Sequence, residues 1–271
     1  MNKKRLIYAI MSAVMFISGG VLLYYFFWAN GYINPPKEVP TIEYSEFTYP
    51  SLPEKIEPSE TSATESASET NESKSGRQYE NPVDFDELKK ANSDIVGWIY
   101  MTSPLISQPV LMAKNNDAYY LSHSATGGYA KNGSFFIEKQ YNKPNFEDPV
   151  TIIYGHRQSD GSMFGNLEVT LNEIDINQDP QYIVIYLPES TKIYHIVATI
   201  CHNNKHVLHY NNFSKESDWN KFFDSAYKQS GKGVQLVKDD KPKFGDKVLI
   251  LSACLRTDRT KRYLVIAKEL K

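Results

Sequence analysis

Val248-Leu249-Ile250-Leu251 is an apolar run with no polar face, too short for a helix and bounded by polar residues, so it reads as a buried strand. The run continues through Ser252-Ala253 and delivers Cys254 at its end. A short polar loop carrying Arg256, Arg259 and Arg262 follows, and a second apolar run, Tyr263 to Ala267, comes after it. Comparable runs recur upstream: Ile95–Tyr100, Leu105–Leu111 with a break expected at Pro109, Gly133–Ile137, Val150–Tyr154, Tyr182–Leu187 and Lys192–Cys201. Helical patterning is rarer. Asp84 and Glu87 resemble a capping box ahead of Phe85, Leu88 and Ala91. A short helix is expected over Ser162–Leu171. The clearest one is Ser214–Ser230, where Trp219, Phe222, Phe223, Ala226 and Tyr227 share a face and Gly231 marks the stop. Many short strands with a few helices predict a mainly β, α+β fold, a closed or nearly closed β-barrel decorated by helices.

The N-terminal third is built differently. Residues 1–5, MNKKR, are basic and would stay in the cytoplasm. Leu6 to Trp28 carries no charge over about 23 residues, enough to cross ~30 Å of hydrocarbon. Tyr24, Tyr25 and Trp28 would form the aromatic belt at the far interface. A cleaved signal peptide would end in a small-x-small site, whereas this run ends in YYFFWANGY, so an uncleaved signal anchor over 6–28 is expected. Residues 29–80 are rich in Pro, Ser, Thr and Glu and lack apolar periodicity, which predicts a disordered extracellular stalk. The folded domain is expected over 81–271. A net charge of −2 argues against a nucleic-acid partner. The chain shows no internal repeat, phosphate-binding glycine loop or zinc-type cysteine pairs.

Cys201 and Cys254 are the two cysteines. They would both lie outside the cell, where a disulfide is one reading; one structural thiol and one reactive thiol is the other. An ordinary thiol has a pKa of about 8.5, so a nucleophilic cysteine needs cationic or basic neighbours. Arginines surround Cys254 in sequence. Of the six histidines, His123 lies in a polar stretch, His195 falls mid-strand, and His202, His206 and His209 read as a solvated loop. His156 stands at the end of an apolar strand behind Gly155, a mount that is rigid and yet exposed.

Taken together these segments resemble the class B sortases. Tyr154-Gly155-His156 with Asp160-Gly161-Ser162-Met163-Phe164-Gly165 is similar to the family's active-site histidine segment. Leu251-Ser252-Ala253-Cys254, with Thr260-Lys261-Arg262 ahead of the last strand, resembles its T-L-S-T-C and downstream arginine. Phe85–Lys90 and Asp94–Ile99 resemble its N-terminal helix and first strand, and the Trp219 helix its additional long helix between two late strands. Ile250 and Ala253 stand where the family has threonines, which leaves the substrate motif open.

The resemblance implies a sortase-like closed barrel over roughly 82–271 and a cysteine transpeptidase anchored in the cell membrane with its catalytic domain outside. Cys254 would be the nucleophile, His156 the acid and base, Arg262 the oxyanion donor with Arg256 as alternative, and Ser252 a substrate contact. The implied partners are secreted proteins with a C-terminal N-P-x-T-x or L-P-x-T-G motif, and a cell-wall or pilin lysine amine as acceptor. No metal or organic cofactor is implied. Two rival readings are a pilus-assembling enzyme of the same fold and a catalytically inactive surface binding module. A papain-like hydrolase fits less well, because the sequence singles out no Asn or Asp to orient the histidine.

Overall fold

The apolar runs become strands because each has both faces to hide, and the partners that hide them come from distant parts of the chain. The computed structural model describes residues 81–270. The expected anchor over 6–28 and stalk over 29–80 lie outside the described residues. Among the described residues no helix is long and apolar enough to cross a membrane.

Among the described residues nine strands form: β1 (Ile95–Thr102), β2 (Leu105–Leu111), β3 (Phe135–Phe136), β4 (Val150–Tyr154), β5 (Tyr182–Leu187), β6 (Ser190–Asn203), β7 (Gln235–Leu236), β8 (Val248–Cys254) and β9 (Lys261–Glu269). Their order in the sheet is β5-β1-β2-β3-β4-β8-β9-β6-β7, and β5 also pairs with β6. That extra pairing joins the sheet into a ring of eight strands, with β7 appended to β6. The fold is therefore mainly β with helices, a closed barrel as expected from the strand count. Among the described residues the α-helices that decorate it are α1 (Phe85–Ala91), α2 (Leu167–Glu173), α3 (Val207–Tyr210) and α4 (Glu216–Ala226).

Two hydrophobic layers account for the patterning. Ile99, Met101, Phe135, Ile153, Leu251, Tyr263 and Val265 fill the barrel interior together with Leu167 and Leu171 of α2. The alternate residues Val150, Ile152, Ile250, Leu264 and Ile266 form a second cluster on the outer face with Trp219, Phe222 and Phe223 of α4. This is why β4 and β8 read as continuous apolar runs. They pair in parallel, Ile152 opposite Ile250, with the barrel core on one side and α4 on the other.

Several expected boundaries shift. β2 runs through Pro109, which pairs with Trp98 of β1; β3 meets only Val110 and Leu111, so the proline's missing N–H faces no partner strand. The strand expected over 133–137 contracts to Phe135–Phe136. The helix expected from Ser162 begins at Leu167, because Gly161 (φ +88°) and Met163 (φ +55°) hold the preceding loop in left-handed turns. α4 is shorter than its periodicity, ending at a Tyr227 cap whose N–H donates to the Phe223 carbonyl. At α1 the expected cap forms: the Asp84 carboxylate accepts the Glu87 N–H at 2.9 Å.

Candidate active site

Cys254 ends β8, and its neighbours follow from strand register. Across β9 it faces Arg262, and across β6 Arg262 faces His202. Opposed residues in antiparallel strands share a face. Residues 249, 251 and 253 point into the barrel, while 248 and 250 lie in the outer cluster, so Ser252 and Cys254 belong to the outer face. The same alternation along β9, with Leu264 and Ile266 outside, puts Arg262 there too. Cys254 and Arg262 are both half-buried. Cys201 faces the interior opposite Tyr263, so the two thiols sit on opposite faces of the sheet. Both are free, and burial pushes the Cys201 thiol up, consistent with a structural role.

His156 reaches the same corner by a different route. β4 lies beside β8 with Tyr154 opposite Ser252, and the Gly155 N–H continues the ladder to the Ser252 carbonyl at 3.3 Å. One residue further on, His156 stands at the end of β4 as Cys254 stands at the end of β8. Gly155 is required by crowding: a Cβ there would lie 2.5 Å from the Phe135 ring and 2.8 Å from that of Phe164. The loop then folds back, Phe164 N–H donating to the His156 carbonyl at 2.9 Å.

The imidazole is tethered as well. His156 Nε2 is 2.8 Å from the Leu121 carbonyl. A carbonyl only accepts, so Nε2 carries the proton, and in the neutral ring Nδ1 is left with the lone pair. Leu121 closes the 3₁₀ turn Tyr119–Leu121, whose surroundings are tightly tied. The His123 ring stacks on Tyr119 at 3.7 Å, the Tyr119 hydroxyl donates to the Gly127 carbonyl, and Ser134 N–H donates to the Tyr120 carbonyl. Gly133 (φ +58°) packs against this turn so closely that a Cβ would lie 2.4 Å from the Tyr120 carbonyl oxygen and 2.7 Å from that of Leu121. No side-chain pattern marked Leu121, because the group that orients the histidine is backbone.

The loop between Cys254 and Arg262 is stapled at three points. Arg256 N–H donates to the Glu168 carboxylate at 2.7 Å, Leu255 N–H to the Lys261 carbonyl at 3.1 Å, and Thr260 N–H to Asp258 at 2.9 Å. Hydrogen bonds from Thr260, helped by Lys261, hold the Asp258 carboxyl below its usual range. Arg262 Nη1 donates to the Arg259 and Lys261 carbonyls, both at 3.2 Å. The Arg256 side chain is exposed, and only Arg262 is in register with the cysteine.

The two positions that depart from the family motif prove remote from this face. Ala253 points into the barrel and Ile250 is fully buried beneath α4, so neither side chain borders the surface around Cys254. Ser252 does share the Cys254 face, flanked by Tyr154 and Leu264.

No family model matches the chain. Two curated relatives do. Sortase B of Listeria monocytogenes is 44% identical over 88 residues, which spans 32% of this chain and 35% of that protein. Sortase B of Staphylococcus aureus is 27% identical over 191 residues, covering 69% of this chain and 75% of the relative. The solved Staphylococcus aureus sortase B–substrate complex superposes with a TM-score of 0.57 at 26% identity, covering 69% of this chain and 84% of that one. In sequence and in fold the chain is similar to the sortase B proteins. As in the expectation from sequence, the chain carries its helical excursion, α3 and α4, between β6 and the late strands.

That excursion also corrects the solvated-loop reading of the histidines. His202 lies within β6, where burial pushes its imidazole down and Nδ1 bonds the Asn203 carbonyl at 2.7 Å. His206 Nε2 lies 2.7 Å from the Glu138 carboxylate and 3.3 Å from the Tyr154 hydroxyl. The signal in sequence is weak: three histidines just after a strand look solvent-exposed until the chain's path brings them back onto β4.

Proposed function

We propose that the chain is a membrane-anchored, extracellular cysteine transpeptidase acting on C-terminal sorting motifs. The carrying observation is the corner where Cys254 and Arg262 are in register on one hairpin and His156 ends the strand that runs parallel to it. In this reading His156 Nδ1 takes the proton of the Cys254 thiol, the thiolate attacks the threonine carbonyl carbon of an N-P-x-T-x or L-P-x-T-G motif, and Arg262 donates to the oxyanion that forms. The C–N bond breaks as His156 passes the Nδ1 proton to the leaving amine, and a thioester remains on Cys254. An acceptor amine then attacks the thioester, His156 Nδ1 takes its proton, Cys254 leaves as the thiolate, and the Nδ1 proton returns to it to restore the thiol. The Leu121 carbonyl does the work that an Asn does in papain-like enzymes, holding Nε2–H so that Nδ1 is the nitrogen that shuttles the proton. Ser252, on the same face, is assigned as a substrate contact. The uncharged run over 6–28 and the stalk over 29–80 would hold the domain outside the membrane, where secreted substrates and wall precursors meet.

The experiment is amide exchange. Incubating the protein with N-P-x-T-x and L-P-x-T-G peptides should give a mass increase on Cys254, and adding a wall-peptide or lysine amine should give the ligated product. Absence of both adduct and product with either motif would overturn the reading. The preferred amine separates wall attachment from pilin joining.

Substitution at Gly133 tests the histidine's mount. Gly133→Ala should displace the Leu121 carbonyl and lower kcat by roughly ten- to a hundredfold, the scale of a displacement of about 1 Å in a catalytic group. The left-handed backbone adds a stability loss of about 1–2 kcal/mol, read by thermal melting. A kcat equal to wild type would show that the carbonyl does not set the imidazole.

A further inference from the structure

β6 leaves the sheet at Asn203, which pairs with Lys261 at the start of β9. Three residues later His206 is hydrogen-bonded to Tyr154 at the end of β4. In the sheet β9 and β8 lie between those two strands. Residues 203–206 therefore cross the outer face above β9 and β8, and Val207 joins the apolar cluster there. The crossing begins beside the row of His202, Arg262 and Cys254 and ends at Tyr154, whose row continues through Ser252 and Leu264 two residues back along the same strands. The crossing is thus one wall of whatever groove serves Cys254.

A small polar network pins that wall. His206 Nδ1 accepts the His209 N–H at 3.1 Å as the cap of α3. The proton is therefore on Nε2, which donates to Glu138 at 2.7 Å. The Tyr141 ring packs on His206 at 4.9 Å, and its hydroxyl bonds His209 Nδ1 at 3.1 Å. Glu138 is only 16% exposed; burial pushes its carboxyl up and His206 draws it back. A partly buried hydrogen-bonded pair of this kind contributes geometry more than net stability. The two partners come from elements far apart in sequence, the turn after β3 and the exit of β6.

We propose that Glu138 and His206 are positioning residues, a latch that holds the 203–207 crossing as a fixed wall for the acyl-donor peptide. The peptide role rests on the transpeptidase reading above; the latch itself does not. In the full-length chain, His206→Asn keeps an acceptor for the His209 N–H but is too short to reach Glu138. It should raise KM for an N-P-x-T-x peptide about tenfold, the factor given by losing one hydrogen bond to a charged group, with kcat within about twofold. Glu138→Ala should match it, while Glu138→Gln, still an acceptor for Nε2–H, should restore KM. Alkylation of Cys254 by iodoacetamide, which needs no wall, should be unchanged in all three. KM equal to wild type in His206→Asn, or KM and alkylation changing in step with the melting temperature, would overturn the positioning role. Amide hydrogen exchange over 204–210 reads the latch without any peptide: it should speed up in His206→Asn and Glu138→Ala, and unchanged exchange would overturn the latch itself. If exchange speeds up but the wild type turns over no sorting peptide, the latch stands and the transpeptidase reading falls.

Discussion

Cys254→Ala should abolish both thioester formation and transfer, lowering turnover by roughly a millionfold or to the detection limit, the scale on which enzymes lose rate when a covalent nucleophile is removed. The structural reason is specific. The other thiol, Cys201, faces the barrel interior, its proton held more tightly by burial, and cannot substitute. The fold should survive, because Cys254 is half-buried at a strand end and the change removes one sulfur atom, within about 0.5 kcal/mol for such a position. Mass spectrometry after incubation with a sorting-motif peptide reads the adduct, and thermal melting reads the fold. Wild-type transfer by the variant would remove Cys254 from the mechanism.

Trp219→Ala should produce the largest loss of stability, about 3–5 kcal/mol, which for a domain of this size lowers the melting temperature by roughly 10 °C. Trp219 is fully buried on the inner side of α4, its indole N–H donating to the Pro242 carbonyl at 3.3 Å. It packs against Phe213 and Phe223 at ring separations of 6.0 and 4.7 Å. Its removal leaves a cavity over the outer face of β4, β8 and β9, the strands that deliver His156, Cys254 and Arg262. Activity at low temperature should persist, since no atom of Trp219 borders the corner. Denaturant or thermal unfolding checks the prediction, and a shift below about 1 kcal/mol would mean that α4 is not held by this contact.

The strands and most of the corner were legible in the sequence for a common reason. β4 and β8 are apolar on both faces, so their ends are conspicuous, and His156 and Cys254 sit at those ends. What was not legible depends on closure. Pairing of β5 with β6 leaves no local pattern, and neither does the parallel pairing that sets Tyr154 against Ser252. Leu121 escaped notice because a backbone carbonyl has no residue signature. His206 escaped because its partners, Glu138 and Tyr154, are 68 and 52 positions away. Ile250 and Ala253 taught the reverse lesson. In sequence they flank Ser252 and border Cys254, but the strand's alternation turns Ala253 inward and α4 covers Ile250, so motif proximity overstated their reach.

The pairing of β4 with β8 also sets a schedule for reactivity. Cys254 and Arg262 belong to one hairpin, a local contact that forms early in a chain's search. His156 meets that hairpin only when Ile152 pairs with Ile250, strands separated by almost a hundred residues, and such contacts are slow because loop closure precedes any gain. Under the proposed mechanism, a chain in which β4 has not yet joined β8 would therefore carry the thiol without its base. On that reading nucleophilicity and native topology arrive in the same step, so the order in which contacts form would protect an unfinished chain from acylation.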